Sequence, residues 1–144
     1  MKAATWLRLL AGLLALFALG HTLGTAAPKV THGAGEASVF AAMQDFSFPI
    51  MGFTRTYWEL YRGFALVISL QLLVMMVIAW QLGTISVKNA RQALPIAVTL
   101  QIGCLGLFVL SWMFFFTAPI VMAFLAVLFS TIAVVLMVRP ALRR

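Results

Sequence analysis

Polar side chains that interrupt long apolar runs are the residues of this sequence whose types could do chemistry. His21 is the first of them, and it stands between Gly20 and Gly24 near the end of an apolar run. An imidazole exchanges a proton near neutral pH, binds metals, and donates or accepts hydrogen bonds. Since polar groups at membrane depth are costly and usually face a site or another helix, His21 is a candidate for function.

A second polar group stands where the next apolar run begins. Arg55, Glu59 and Arg62 follow one another at i, i+4 and i+7, a spacing that predicts one helix face on which the carboxylate pairs with a guanidinium. Thr56 and Glu59 also match a capping box, in which the two residues satisfy each other's backbone N–H. These structural roles for Glu59 are favoured over a role as general acid or base.

The third polar group lies along one predicted helix, whose outer end we expect at the depth of His21. Its members form a stripe at helical spacing: Gln101, Cys104, Phe108, Ser111 and Trp112. If the first three helices touch, the three groups meet in one polar pocket beneath the outer loop. The candidate ligand-binding residues are therefore His21, Arg55, Glu59, Arg62, Ser111 and Trp112. No residue is assigned a catalytic role.

Packing is the competing interpretation of His21, and it is the one we favour from sequence alone. Gly20 and Gly24 form a Gly-xxx-Gly pair, which commonly lets two helices approach closely, and a histidine between them can hydrogen-bond a neighbouring helix. The second span contains further residues with a predicted packing role. Gln71 is expected to hydrogen-bond a neighbouring helix, and Met75 and Met76 are expected to make apolar contacts.

A metal or haem site is disfavoured, and no cofactor is expected. The chain has two histidines, and His32 lies in the loop. That set provides neither a facing pair of histidines for haem nor three ligands for zinc. The sequence also lacks a glycine-rich phosphate loop and a nucleophile elbow.

Composition decides the class of protein that must position these residues. Of 144 residues, 64% are hydrophobic and 9% are charged, and the mean hydropathy is +1.08. Such a balance predicts an integral membrane protein, since about 20 apolar residues cross a bilayer as a helix. We expect a single transmembrane domain over residues 1–144, an all-α four-helix bundle with approximate spans 6–25, 57–83, 94–116 and 119–138.

The net charge of +7 indicates membrane orientation and not nucleic-acid binding. Basic residues follow or precede the apolar spans in three segments: Lys2 and Arg8, Lys88 and Arg91, and Arg139, Arg143 and Arg144. By the positive-inside rule these segments are cytoplasmic, so both termini lie inside and the first loop lies outside. Aromatic residues typical of the interface fall near both boundaries: Trp6 and Trp80 inside, and Tyr57, Trp58, Tyr61 and Trp112 outside. We expect a multi-pass protein of the cell inner membrane.

The first loop is the one long connection, from Ala26 to Thr56. It begins with a stretch from Pro28 to Gly35, which includes Lys29 and is predicted to be irregular. The stretch from Ser38 to Phe46 has helical spacing of apolar residues, which predicts a short helix on the outer membrane surface. The stretch from Phe48 to Phe53 predicts an apolar, kinked return.

Pro95, Cys104 and the end of the first span each allow a further prediction. The third span is predicted to carry Pro95 in its first turn, where a missing N–H has no cost. Cys104 is the only cysteine, so an intrachain disulfide is excluded. The first span also resembles a secretory signal with small residues before Pro28, but the polar pair His21 and Thr22 is typical of a retained helix, which we prefer.

Three segments carry a resemblance to a known group of proteins. HTLGT ends the first span, MGFTRTYWELYRGF leads into the second, and LSWMFFFTAP closes the third. Together they resemble an uncharacterised family of small bacterial membrane proteins with four predicted helices. The architecture is also loosely similar to DoxX-like proteins and to sterol-isomerase-like membrane bundles. The resemblance implies a compact membrane fold and brings no mechanism with it.

Three hypotheses about function follow. The first is a non-enzymatic membrane protein that binds a lipid, another hydrophobic small molecule or a partner protein at its outer half. The second is an isomerase-like membrane enzyme in which His21 and Glu59 exchange protons with a lipid-soluble substrate. The third is an accessory subunit, or a homo-oligomer, whose glycine-rich surfaces dock other helices: Gly20 with Gly24, and Gly103 with Gly106.

Overall fold

The computed structural model describes residues 2–26 and 32–141, and it is mostly helical. Its elements are the helices α1 (Ala3–Thr25) and α2 (Ala34–Asp45), the strands β1 (Ser47–Ile50) and β2 (Phe53–Thr56), and the helices α3 (Tyr57–Lys88), α4 (Ala90–Phe114) and α5 (Thr117–Ala141). The predictions for Pro28, Lys29, Arg143 and Arg144 lie outside the described residues, as does that for the side chain of Arg139.

Four of these helices are long and apolar enough to cross a membrane. They are Ala3–Thr25, Tyr57–Lys88, Ala90–Phe114 and Thr117–Val138, each longer than the roughly 20 residues that a crossing needs. The protein is therefore a multi-pass membrane protein, as its composition predicts. α3 is the longest, with 32 residues, which at a rise of about 1.5 Å per residue exceeds the hydrocarbon thickness of a bilayer.

The all-α prediction is wrong for the segment between α1 and α3. The predicted kinked return is an antiparallel β-hairpin in which Ser47 pairs with Thr56 and Ile50 pairs with Phe53. Its two-residue turn has positive φ at Met51 (49°) and Gly52 (86°). Such a turn matches the right-handed twist of two paired strands, so the chain reverses without a longer loop.

The predicted short helix before the hairpin is confirmed as α2, and it begins earlier than expected. Gly33 precedes it with a φ of 84° and gives no side-chain cap. The first turn is instead closed by Glu36, whose carboxylate accepts a hydrogen bond from the His32 backbone N–H at 2.8 Å. An acidic side chain in this position also interacts favourably with the positive end of the helix dipole.

Two further helix starts are fixed by side-chain caps. The capping box of α3 is confirmed: the Thr56 N–H donates to Glu59 Oε2 at 2.8 Å, and the Glu59 N–H donates to Thr56 Oγ1 at 3.1 Å. In α4, Asn89 Oδ1 accepts from the Gln92 N–H at 3.1 Å. That cap moves the start of α4 to Ala90, so Pro95 lies beyond the first turn, inside the helix, contrary to prediction.

The chain divides into two compact units, Met1–Phe17 with Leu72–Arg144, and Ala18–Gln71. In the first unit α4 pairs with α5, where Gln101 Nε2 donates to Thr131 Oγ1 at 2.9 Å. α1 approaches α3 at Gly83, where an added Cβ would lie 3.2 Å from Arg8 Cγ. The largest fully buried side chains of this unit are Leu7, Leu10, Leu14, Leu72, Leu82, Cys104 and Met137.

The second unit joins the C-terminal part of α1 to α2, the hairpin and the first turns of α3. Aromatic contacts hold its loop segment to α3: the rings of Phe48 and Tyr57 have centroids 4.8 Å apart, and those of Phe40 and Trp58 are 5.7 Å apart. We call the membrane side that carries α2 and the hairpin the loop side.

Candidate functional site

His21 is held by a short chain of hydrogen-bonding groups between α1 and α3. Its Nδ1 lies 3.1 Å from Ser69 Oγ, and Thr22 Oγ1 lies 2.8 Å from the same oxygen. The Thr22 hydroxyl also donates to the backbone carbonyl of Ala18 at 2.7 Å. Ser69 is 6% exposed and shares a buried face of α3 with Ala65, which is why its hydroxyl faces α1. We call His21, Thr22 and Ser69 the polar relay.

The second ring nitrogen of His21, Nε2, has no such partner. It makes no hydrogen bond with any residue that the structure describes, and the ring is only half-buried. Every fully enclosed side-chain nitrogen or oxygen in the described part of the chain has a hydrogen-bond partner, so Nε2 is open to its surroundings. The relay therefore presents one accessible polar atom within a membrane-spanning helix.

Glu59 does not join His21. It precedes Ser69 by ten residues in one continuous helix, which separates the two levels by about 15 Å along the axis. The separation follows from the length of α3, since Tyr57 precedes Ser69 by twelve residues whereas α1 ends four residues after His21. The Glu59 carboxylate is exposed and engaged in the cap.

Arg55 lies in β2 and not on the helix face that its spacing to Glu59 predicts. Its Nη1 donates to the Thr54 carbonyl at 3.0 Å, and its guanidinium carbon is 5.4 Å from the Phe53 ring centroid. The physical reason is the capping box, which begins α3 at Tyr57. Within the described residues, no ion pair joins Glu59 to Arg55 or Arg62.

Arg62 is the predicted site residue that shares a face with the relay. It precedes Ser69 by seven residues, close to two helical turns, so the two residues lie on one side of α3 at levels about 10 Å apart. α1 and α3 are consecutive spans and run antiparallel, and α1 ends at Thr25, about 6 Å beyond His21. Arg62 is therefore exposed on the relay's face of α3 beyond the end of α1.

Ser111 and Trp112 belong to α4 in the other unit, where they take opposite environments. Ser111 is 2% exposed, whereas Trp112 is 69% exposed, with its ring 6.4 Å from that of Phe108. Consecutive helical residues point about 100° apart, which accounts for the difference. The predicted stripe thus contains one enclosed hydroxyl and one outward-facing aromatic ring at its end.

Sequence reasoning missed Ser69 and selected Gln71 in its place. Gln71 is exposed and makes no side-chain hydrogen bond with a described residue, so its predicted role between helices is wrong. The signal for Ser69 is its spacing. It follows Ala65 by four residues and precedes Leu72 by three, which places all three residues on one helix face. Gln101, which the sequence predicts as a member of the polar stripe, forms a hydrogen bond between α4 and α5 with Thr131.

The packing interpretation of His21 is confirmed in part. His21 does hydrogen-bond a neighbouring helix, as such residues do in membranes. Its glycine neighbours do not pack closely within the described chain, because a Cβ added at Gly20 or Gly24 would meet nothing within 4 Å. Gly106 is equally open, while Gly103 lies near Met75.

The described residues contain no group of three or more histidine, cysteine, aspartate or glutamate side chains that could hold a metal ion. Comparison of the chain with protein-family models, curated proteins and solved structures finds no match. The described part of the chain offers three features that bear on function: four apolar spans, the polar relay and an open imidazole nitrogen.

Proposed function

We propose that this membrane protein binds a lipid or another lipid-soluble amphiphile at the loop-side half of α1 and α3, with His21 as the polar anchor. The observation that carries the proposal is the open Nε2 of an imidazole whose other nitrogen is held by Ser69. A polar group left without a partner in an apolar environment costs about 1–3 kcal/mol. A ligand that supplies the missing hydrogen bond recovers that free energy.

The relay also prepares the imidazole for binding. Ser69 fixes Nδ1 and thereby restricts the rotation of the ring before any ligand arrives, which lowers the entropy lost on binding. Apolar surface for the rest of the ligand lies on the neighbouring parts of the two helices, where four leucines are exposed: Leu19, Leu23, Leu66 and Leu70. A polar atom beside exposed apolar side chains fits an amphiphile better than a water-soluble ligand.

Arg62 gives this proposal a second polar contact. It lies on the relay's face of α3 about 10 Å closer to the loop side, and its side chain is exposed. A guanidinium there suits a phosphate or carboxylate head group. We therefore propose that the ligand reaches His21 with one polar group and that its outermost polar group meets Arg62.

The separation between His21 and Glu59 argues against the enzyme hypothesis. That hypothesis requires His21 and Glu59 within reach of one substrate, and general acid–base groups act at hydrogen-bond distance from the proton they transfer. The two levels differ by about 15 Å along α3, and the Glu59 carboxylate is engaged in the capping box. Ser111 and Trp112 of α4 take no part in this proposal.

Native mass spectrometry of gently extracted protein tests the proposal. We expect wild type to carry a stoichiometric small-molecule adduct that is strongly reduced in His21→Ala and Ser69→Ala and weakened in Arg62→Gln. His32→Ala is the matched control, because its histidine lies in the loop with a largely exposed side chain, and Glu59→Gln should also keep the adduct. Equal adducts in all six proteins would contradict a role for His21.

The same spectra distinguish the accessory-subunit alternative. The open glycines Gly20 and Gly24 leave room for another helix. A co-purifying protein chain, in place of a small-molecule adduct, would assign this surface to a partner. A doubled mass of this chain would instead indicate a homo-oligomer.

A further inference from the structure

We infer that His21 carries its proton on Nδ1, so that Nε2 is a hydrogen-bond acceptor and the ligand that it binds is a hydroxyl-bearing amphiphile. The tautomer is derived from the relay alone. The ligand class rests, in addition, on the proposed function. A free imidazole populates both tautomers, and the hydrogen bonds made by one nitrogen decide which is present in a protein.

The proton assignment follows from a count of donors. The relay makes three contacts, between Thr22 and the Ala18 carbonyl, between Thr22 and Ser69, and between Ser69 and His21 Nδ1. A backbone carbonyl only accepts, so the contact to Ala18 takes the one hydroxyl proton of Thr22. The contact between the two hydroxyl groups is also open to donation by Thr22, but the proton of Thr22 is already used, so Ser69 donates its own proton to Thr22 Oγ1.

The third contact, between Ser69 and His21, must take its proton from the imidazole. Because the Ser69 proton is directed to Thr22, the hydrogen bond between Ser69 and His21 requires an N–H at Nδ1. The order of donation is therefore from His21 to Ser69, from Ser69 to Thr22, and from Thr22 to the Ala18 carbonyl. In the neutral ring this leaves Nε2 with a lone pair and no proton.

The opposite order satisfies the relay less well. If Ser69 donated to Nδ1, Thr22 would have to serve both the 2.7 Å contact to Ala18 and the 2.8 Å contact to Ser69 with one proton. One of these two short contacts would then lack a well-aligned donor. Hydrogen bonds weaken steeply as their angle departs from linearity, so this arrangement is less stable.

The tautomer selects the chemistry of the ligand. An accepting Nε2 requires a donor, and lipid hydroxyl groups supply one, whereas ester, ether and ketone oxygens offer only lone pairs. Two acceptors facing each other in a low-dielectric site would leave both unsatisfied. The site is therefore expected to discriminate an amphiphilic alcohol from its own ether.

Nitrogen-15 NMR of histidine-labelled protein in phosphatidylcholine vesicles tests the tautomer directly. At about pH 8, where an ordinary imidazole is neutral, we expect a protonated Nδ1 and an unprotonated Nε2 at His21, assigned by comparison with His32→Ala. Thr22→Val should weaken the preference. Thr99→Val is the matched control, because the Thr99 hydroxyl bonds the Pro95 carbonyl of its own helix. A protonated Nε2, with or without a proton on Nδ1, would overturn the inference.

The ligand class is tested in the same vesicles with hexadecanol and its methyl ether as probes. We expect the alcohol, and not the ether, to move the Nε2 resonance of His21 upfield, and we expect Ser69→Ala to abolish the response. An equal response to the ether would overturn the hydroxyl assignment and leave the amphiphile site standing. No response to either probe, with Nδ1 protonated as expected, would overturn the amphiphile site and the hydroxyl assignment with it.

Discussion

A single hydroxyl group, that of Ser69, connects His21 and Thr22 of α1 to the buried face of α3. Such a bond stabilises a membrane protein only modestly, because an unfolded helix in lipid also finds partners for its polar groups. Its larger consequence is geometric. By holding Nδ1, Ser69 determines which nitrogen of the imidazole stays open.

Ser69→Ala tests this residue directly. We expect it to lower the free energy of unfolding by about 0.6–2 kcal/mol, the range for hydrogen bonds between membrane helices, in unfolding titrations from detergent micelles. Ser86→Ala is the matched control on the same helix, because the Ser86 hydroxyl bonds the Gly83 carbonyl of its own helix. Equal losses for the two variants would contradict a bond between helices.

At the residue scale, the sequence indicates that His21 is special but not what holds it. An imidazole in an apolar helix is conspicuous, whereas a serine such as Ser69 or Ser86 is common in membrane helices and usually bonds its own backbone. Only the register between α1 and α3 distinguishes the two serines, and that register depends on side-chain packing.

At the element scale, the start of α3 determines what Glu59 and Arg55 can do. The capping box begins the helix at Tyr57 and binds the Glu59 carboxylate to the backbone. It also leaves Arg55 in a strand, where the helical spacing predicted from the sequence does not apply. One local motif thus both fixes an element and removes two residues from the predicted pocket.

The role of Glu59 as a cap makes a specific prediction. Glu59→Ala should cost about 1 kcal/mol of stability, a typical value for a lost cap. Glu59→Gln should cost much less, because glutamine also serves in a capping box. Thermal unfolding in detergent measures both, and a larger loss in the glutamine variant would indicate that the charge itself is needed.

The hairpin turn makes a second prediction at this scale. Met51 is 95% exposed and has a φ of 49°, a left-handed conformation that disfavours ordinary side chains. Met51→Asn should stabilise the hairpin by about 1 kcal/mol, because asparagine followed by glycine is favoured in this type of turn. The expected gain is of the order of the free-energy cost of placing an ordinary residue in the left-handed conformation. Met51→Val should destabilise it, because a branched side chain tolerates positive φ poorly. Amide exchange of the β2 N–H groups measures both effects.

The residues of this turn explain why the sequence predicts a kinked return and not a hairpin. Met51 with Gly52 lacks the asparagine or aspartate that marks such turns, and Pro49 inside β1 is a residue that argues against a strand. Pairing of the two short strands outweighs both local preferences. α2, by contrast, follows from helical spacing alone.

At the scale of the whole molecule, apolar length is the dominant property of the chain. Four helices exceed the length that a membrane crossing requires, and composition with run length is sufficient to predict them. The offset between α1 and α3 is not predictable in this way. Because α3 extends beyond the end of α1, residues expected at one depth lie on separate levels.

The orientation of these spans is a further prediction, made from the basic residues Lys88 and Arg91 between α3 and α4. In a Cys104→Ala background, an impermeant maleimide should label Gln44→Cys of α2 in intact cells and should not label Gln92→Cys. Both positions are exposed in the structure. Labelling of Gln92→Cys alone would indicate the opposite orientation of the protein in the membrane.

Photocrosslinking from α1 in the native membrane is the most direct test of the central claim, that an amphiphile contacts His21. Benzoylphenylalanine at Gly24, three residues after His21 and open in the structure, should capture one dominant lipid-soluble species. That product should disappear with His21→Ala or Ser69→Ala. The matched position Gly12, equally open on the same helix, should give only bulk lipid. The same bulk lipids at both positions, unchanged by His21→Ala, would contradict the account and leave His21 as a packing residue.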